Sequence, residues 1–447
     1  MKVIELFANR IGVPIAQLLR TNVPHQMSSG ITNEKDLGAF EEDLNFQLNY
    51  IKMLVKEYRL EEALTCVGWA EAYVASAGAF ASKISPRLLH RVPLLKGMAY
   101  LQSFNPNAAL PELKKSLTLI GEADEEKAAA VHNLLGAAYY LLERPELAVQ
   151  EHLVSMRAIH SGAVRDLNQH FSIHVNLANA YRALGDLKQA LAVYRDVLPL
   201  FQDIHDPIRK ADTYHGLAKA YGDAGDTSSA VLWYSRAREI YQEHNRPVQL
   251  ATIDLNLAEL MIEVGREENV EDLLKEASDI LQTPEHETED LLQNHLYRVL
   301  ALWSHKHGQL EQAEKYVHTS LEYGRKASME ADEACSAVAA SYSGTDKPIL
   351  PGSACYPIHG YVETLRIAAM IAETRGLLSV ADERFETALK WAAKTGANDT
   401  IHAINMCYAE SKQQRGSDLD AMEYYKAAAQ ANHAMNRKST GPAILVG

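Results

Sequence analysis

Nine polar residues stand at intervals that bring them to one face of a repeating helical unit: Asn133; Asn176, Asn179 and Arg182; His215 and Lys219; Asn256; Asn294 and Arg298. An asparagine side chain donates and accepts at once, so a row of them can hold an extended peptide backbone whatever its side chains. Arg182, Lys219 and Arg298 add cations for a carboxylate, which a planar guanidinium can take through two bonds. The same residues have a structural use. An asparagine inside a helix can satisfy a neighbouring hairpin, and an arginine can simply be solvated.

Other chemistry is poorly supported. No GxxxxGK[ST], HExxH, GxSxG or strand-preceded GxGxxG occurs, so neither enzymatic activity nor a cofactor is expected. His170 and His174 are spaced i, i+4 on one helical face, but no carboxylate pattern completes a metal site. His305 and His307 read as polar residues at a helix end. Cys66, Cys335, Cys355 and Cys407 form no CxxC, which fits a reducing compartment; a redox pair of Cys335 with Cys355 is the alternative.

The positions acquire meaning from a repeat. NLANAYRALGDLKQALAVYRDVL (176–198) is followed by GLAKAYGDAGDTSSAVLWYSRAREI (216–240) and NLAELMIEVGREENVEDLLKEASDIL (256–281). Each has Leu-Ala, a large residue three on, Gly four later and a small or apolar residue five later. In the first two units these are Leu177, Ala178, Tyr181, Gly185 and Ala190, then Leu217, Ala218, Tyr221, Gly225 and Ala230. A bulky residue, Tyr194 or Tyr234, completes each pattern. Small residues let two helices approach closely, and Gly185 and Gly225 suit a helix end with positive φ. Tyr139, Tyr181 and Tyr221 recur as packing residues.

This pattern resembles the tetratricopeptide repeat. Weaker copies carry Ala63 and Ala70; Gly97, Tyr100 and Ala109; Gly136, Tyr139 and Ala148; then Gly308 and Ala313, Gly376 and Ala381, Gly416 and Ala421. The resemblance implies an all-α, right-handed superhelix of about nine hairpins over residues 44–435. The interval from Gly308 to Gly376 is 68 residues, against 43 before it. Its excess falls in 333–361, read as a surface loop, with a lid or a break between solenoid halves as alternatives. Residues 23–43 read as a linker and 436–447 as an extended tail.

Residues 2–20, KVIELFANRIGVPIAQLLR, lie outside the repeat: a helix to Arg10, a Gly12 stop and a short helix opened by Pro14. Val3, Ile4, Leu6, Phe7, Ile11, Gly12, Val13, Leu18 and Leu19 resemble the last two helices of an Xre/Cro-type helix-turn-helix domain, which gives 1–22 as its C-terminal remnant. An amphipathic cap for the solenoid is the alternative. The resemblance implies a base-reading helix upstream of Met1, either truncated here or lost.

A repressor end joined to such repeats resembles the Gram-positive peptide-pheromone regulators of the PlcR/NprR/Rgg/Rap group. That resemblance implies a sensor domain binding a short signalling peptide on its concave face, a homodimer, and DNA contact only through a helix-turn-helix that is incomplete here. A Rap-like response-regulator phosphatase or inhibitor, or a scaffold for a protein partner, is the alternative.

The balance of charge agrees. The 44 Lys+Arg against 58 Asp+Glu give a net charge of −14, unlike a general nucleic-acid coat, which needs a basic face. With 47% hydrophobic and 23% charged residues the chain can bury a large core. No apolar run approaches the ~20 residues of a membrane helix. Glu5, Asn9 and Arg10 interrupt the first apolar stretch, so no signal peptide is expected and a cytoplasmic location is.

Overall fold

The computed structural model describes residues 34–439, apart from 104, 122–123, 143, 203–205, 284–289, 341–351 and 396–397. The 1–22 segment lies outside the described residues, as do the side chains of Cys335 and Cys355. Among the described residues every regular element is helical.

The helices follow one another in pairs. The first nine are α1 (Glu34–Lys56), α2 (Leu60–Ser76), the short α3 (Pro86–Leu89), α4 (Arg91–Gln102), α5 (Pro106–Ile120), α6 (Glu125–Leu141), α7 (Pro145–His160), α8 (Leu167–Leu184) and α9 (Leu187–Val197). Then come α10 (Pro207–Asp223), α11 (Thr227–Glu243), α12 (Pro247–Glu263), α13 (Val270–Leu281), α14 (Asp290–Lys306), α15 (Leu310–Ala340), α16 (Gly352–Thr374), α17 (Leu378–Thr395), α18 (Asn398–Gln414) and α19 (Asp418–Ser439). Setting α3 aside, these are nine pairs, the expected tetratricopeptide architecture. None of the described helices is long and apolar enough to cross a membrane.

Local chemistry explains the turns. Six first helices end on glycines with positive φ: Gly185, Gly225, Gly265, Gly308, Gly376 and Gly416, from 70° to 85°. At each, the glycine N–H bonds a carbonyl three back and the following N–H one five back, as in Gly185 to Arg182 and Asp186 to Tyr181. This Schellman arrangement satisfies carbonyls a helix end would otherwise strand. Aspartates then open the next helix: Asp186 Oδ1 accepts from the Gln189 N–H at 3.1 Å and Asp226 from that of Ser229 at 3.1 Å.

Two compact units result, described separately. The first runs to Ala138 and includes Val154–Val164. Its core joins Leu44, Leu48 and Ile51 of α1 to Val67 and Ala70 of α2 and to Leu95 of α4, with Phe40 and Tyr73 stacked at 4.1 Å.

The second holds Tyr139–Leu153 and everything from Arg165 on. Ala178, Ala190, Ala218, Ala230 and Ala258 are fully buried, which lets neighbouring helices close on one another, and Tyr194 is buried beside Ala178 and Leu217. Tyr221 lies at the edge of that cluster, its hydroxyl accepting from Arg195. Within this unit α8 also meets α19.

Three boundaries differ from the sequence reading. α19 runs to Ser439, so 436–439 of the expected extended tail is helical. α1 starts at Glu34, so 34–43 of the expected linker belongs to the first helix. Most of the 68-residue interval is helix: α15 runs 31 residues and α16 runs 23, taking 333–340 and 352–361 out of the expected loop. The physical reason is composition, since EACSAVAA is rich in alanine, the strongest helix former.

Candidate functional site

In the second unit, the first helices of successive pairs, α8, α10, α12, α14 and α16, carry a line of polar groups. Asn179, Lys219 and Glu259 occupy equivalent positions, each following its Leu-Ala pair and six residues before the turn glycine. Their spacing of 40 matches the repeat.

On α8, Asn179 Oδ1 accepts from the buried Tyr194 hydroxyl at 2.6 Å. Arg182 donates to Asp223 of α10 at 3.0 Å, while its Nε is buried with no partner. Asn176 is half-buried on the same helix and already has a polar partner.

On α10, His215 Nε2 lies 3.2 Å from Asn256 Nδ2, which also donates to the Thr252 carbonyl at 2.8 Å. Burial, then the Lys219 and Arg182 charges, push His215 down to about 3, so its ring is neutral and Nε2 accepts from Asn256. The Lys219 ammonium is pulled down to about 8, by burial first and by Arg182 next, with Asp223 and Glu259 opposing. Lys219 has neither a hydrogen bond nor an ion pair among the described residues.

On α12 and α14, Glu259 receives the guanidinium of Arg298 on both oxygens and His295 Nε2 at 3.2 Å. Burial favours the neutral acid, but Arg298 and His295 outweigh it and hold Glu259 well below the usual carboxylate range. On α16, Arg366 Nε donates to Glu363 at 2.8 Å. The row therefore alternates in charge: Asp223, Glu259 and Glu363 are bonded to cations, while Lys219 feels the charges of Asp223 and Glu259 without a direct ion pair.

Seven of the nine sequence-selected residues thus fall in one unit on this row or beside it: Asn176, Asn179, Arg182, His215, Lys219, Asn256 and Arg298. Two do not join them. Asn294 is buried, its Nδ2 donating to the Ser320 carbonyl at 2.9 Å and to Thr364 Oγ1 at 3.1 Å. It faces away from the row because Gly324 and Gly360 open a space for it between helices. Asn133 is 8% exposed and belongs to the first unit. His174 Nδ1 is engaged with the carbonyl of His170 one turn back at 2.8 Å.

Glu259, Asp223, His295 and the Glu363–Arg366 pair were missed. Glu259 was legible, because it is the third member of the Asn179–Lys219 series. His295 and Glu363 were not: α14 keeps Leu300-Ala301 in register with Gly308, but His295 stands five residues before that pair, and α16 has Ala368-Ala369 where the pair is expected.

The tetratricopeptide repeat profile matches residues 169–243, which span α8 to α11. No curated protein matches the sequence. Among solved structures, the apo form of the quorum sensor NprR from B. thuringiensis is similar at a TM-score of 0.54 and 13% identity, over 87% of this chain and 97% of that one. Aspartyl phosphate phosphatase F from Bacillus subtilis gives 0.53 and 12% identity, over 90% of this chain and 96% of that one. At such identities the likeness is one of fold.

Proposed function

We propose that this chain is the sensor part of a peptide-responsive transcriptional regulator, binding a short signalling peptide along the row formed by α8, α10, α12 and α14. The observation that carries this reading is the row itself. Side-chain amides at Asn179 and Asn256 and cations at Arg182 and Lys219 line successive first helices, with Asn179 and Lys219 at the repeat spacing, and offer groups that an extended backbone can use. The fold shared with NprR, a quorum sensor, agrees with it. Output would follow a population shift: the peptide binds one conformation or dimer better than another, and DNA-binding heads joined through the 1–22 segment respond.

Native mass spectrometry tests the proposal, using peptides from medium conditioned by the organism that encodes the chain. The expected result is a bound mass of roughly five to ten residues, spanning about 17–33 Å when extended. Asn179→Ala should lose it, and the dimer fraction should change alongside. A retained protein partner with no peptide would replace this reading with a scaffold. Retention of a response regulator would favour a Rap-like phosphatase or inhibitor, whose fold this chain shares.

A further inference from the structure

A groove of about 1020 Å³ lies over α14, between α13 and α15. α14 gives it Tyr297, Trp303 and Ser304, whereas His295 and Arg298 of the same helix meet Glu259 in the polar row. At about 100° per residue, Tyr297 and Ser304 fall on the opposite side of α14 from His295 and Arg298. The groove is therefore separate from the peptide site proposed above.

Its hydrogen-bonding groups are unspent. The Tyr297 and Tyr316 hydroxyls and the Trp303 indole N–H have no hydrogen-bond partner among the described residues, and all three rings are half-buried. The Tyr297 and Tyr316 rings stand 6.0 Å apart and join α14 to α15. Ser304 is only 3% exposed and lines the groove, yet its hydroxyl also lacks a partner among the described residues. A buried hydroxyl is normally satisfied, so this one invites an acceptor or donor from outside.

The rim is acidic. Glu271 and Asp279 of α13 and Glu311 of α15 are exposed and carry no ion pair among the described residues. Two cations, Lys275 and Arg375, oppose them, and Arg375 is already held by Glu314. Unpaired acid is thus in surplus.

These features select an occupant. Tyr297 and Trp303 are six residues apart on α14, which is about 9 Å along its axis. One turn of polyproline II, three residues, rises about 9.3 Å. That conformation has no internal hydrogen bonds, so its carbonyls are free to accept from tyrosine, serine and indole donors. An α-helical occupant would spend its carbonyls on itself. Aromatic-lined grooves are recurrent receptors of proline-rich segments. The unpaired acids ask for a cation beside the prolines, which a neutral glycan would not bring.

We propose that the groove over α14 docks a proline-rich segment of a partner protein in the polyproline II conformation. Tyr297 and Trp303 each take one proline of a Pro-Xaa-Xaa-Pro spacing, and the acids of α13 and α15 receive an arginine or lysine next to it.

Fluorescence anisotropy on the full chain tests this, with a labelled probe blocked at both ends, Arg-Pro-Leu-Pro-Pro-Leu-Pro. Saturable binding is expected. Exchanging the arginine for glutamate should weaken it about fivefold or more, the effect of losing an exposed ion pair. A probe in which no two prolines stand three apart should bind about tenfold or more weakly, and Tyr297→Ala should cost the same factor. Glu271→Lys combined with Asp279→Lys alters only exposed side chains and should weaken binding about fivefold or more, which decides the matter if Tyr297→Ala does not fold. Absence of saturable binding, equal binding of the three probes, or unchanged binding in the double lysine variant overturns the proposal. Binding of cellohexaose in place of the proline-rich probe overturns it in favour of a glycan.

Discussion

Asn294 Nδ2 donates to Thr364 Oγ1, 70 positions later, at 3.1 Å, and the same nitrogen reaches the Ser320 carbonyl at 2.9 Å. One amide thus ties α14, α15 and α16 together. The arrangement needs two glycines: a Cβ on Gly360 would fall 2.5 Å from Asn294 Oδ1, and one on Gly324 would fall 2.7 Å from Nδ2. The long interval between the fourth and fifth turn glycines, Gly308 and Gly376, is spanned at this point by a polar clasp.

Removing the clasp should therefore destabilise the fold and leave ligand binding alone. Asn294→Ala removes two buried hydrogen bonds, to Ser320 and to Thr364, which costs about 1–3 kcal/mol. Gly360→Ala should cost a comparable amount by driving the amide out. Thermal unfolding followed by circular dichroism measures both. An unchanged midpoint in Asn294→Ala would show that the three helices hold without the amide.

The Glu259–Arg298 pair makes a different prediction, because both side chains are mostly buried, at 20% and 11% exposed. Arg298→Met leaves Glu259 desolvated with only His295 bonded to it. The single change should cost about 1–3 kcal/mol, below the roughly 3–5 of a fully buried broken pair, since some solvent reaches it. Glu259→Gln combined with Arg298→Met should recover more than half of that loss. Urea midpoints of the two variants decide it; equal losses in single and double variants would mean that packing of the arginine stem, and not charge, sets the cost.

How much of this was legible depended on the period. Gly185, Gly225 and the alanines beside them repeat every 40 residues and have only one use each, a left-handed turn or a close helix approach. They gave away the architecture. Asn179 and Lys219 were legible for the same reason, being phased to the Leu-Ala pair. Asn294 was misassigned because an asparagine buried against glycines and one facing a groove look alike in sequence. The difference lies in Gly324 and Gly360, 30 and 66 residues further on. The helical course of 333–340 was hidden by the Gly- and Pro-rich stretch that follows it.

Acid should weaken the protein through two buried histidines. Neither ring nitrogen of His90 or His152 has a partner among the described residues, and their exposures are 2% and 0%. Burial pushes His152 down to about 3. Burial, with the Lys127 and Arg91 charges behind it, takes His90 down to about 4. Each folded ring resists a proton that the unfolded chain accepts near 6.5. The stability held by the neutral rings is thus complete above about pH 6.5 and is lost as pH falls towards the folded values, by up to about 1.4 kcal/mol per pH unit for each ring. Melting temperatures between pH 7 and pH 4.5 should fall, and His152→Leu should flatten the slope. Parallel slopes in wild type and variant would remove His152 from the account.

Two glycines six residues apart on α10 should respond to the same substitution with opposite signs. At Gly222 a new methyl would meet only Ala230 Cβ at 3.9 Å and Leu260 Cδ1 at 4.0 Å, ordinary contact distances. Alanine there removes the entropic penalty of a helical glycine, so Gly222→Ala should stabilise by about 0.5–1 kcal/mol. At Gly216 the methyl would fall 2.4 Å from the Tyr194 hydroxyl and 2.9 Å from the ring carbon that bears it. The ring is fully buried and rigid, so Gly216→Ala must shift the helix or expel the tyrosine, at a cost of about 1–3 kcal/mol. Moving that hydroxyl also releases the Asn179 carbonyl, so Gly216→Ala should weaken retention of the signalling peptide, whereas Gly222→Ala should not. Melting temperatures give the first contrast and native mass spectrometry the second. If Gly216→Ala lowers stability yet keeps peptide retention, the Tyr194 bond packs the hairpin without orienting the amide.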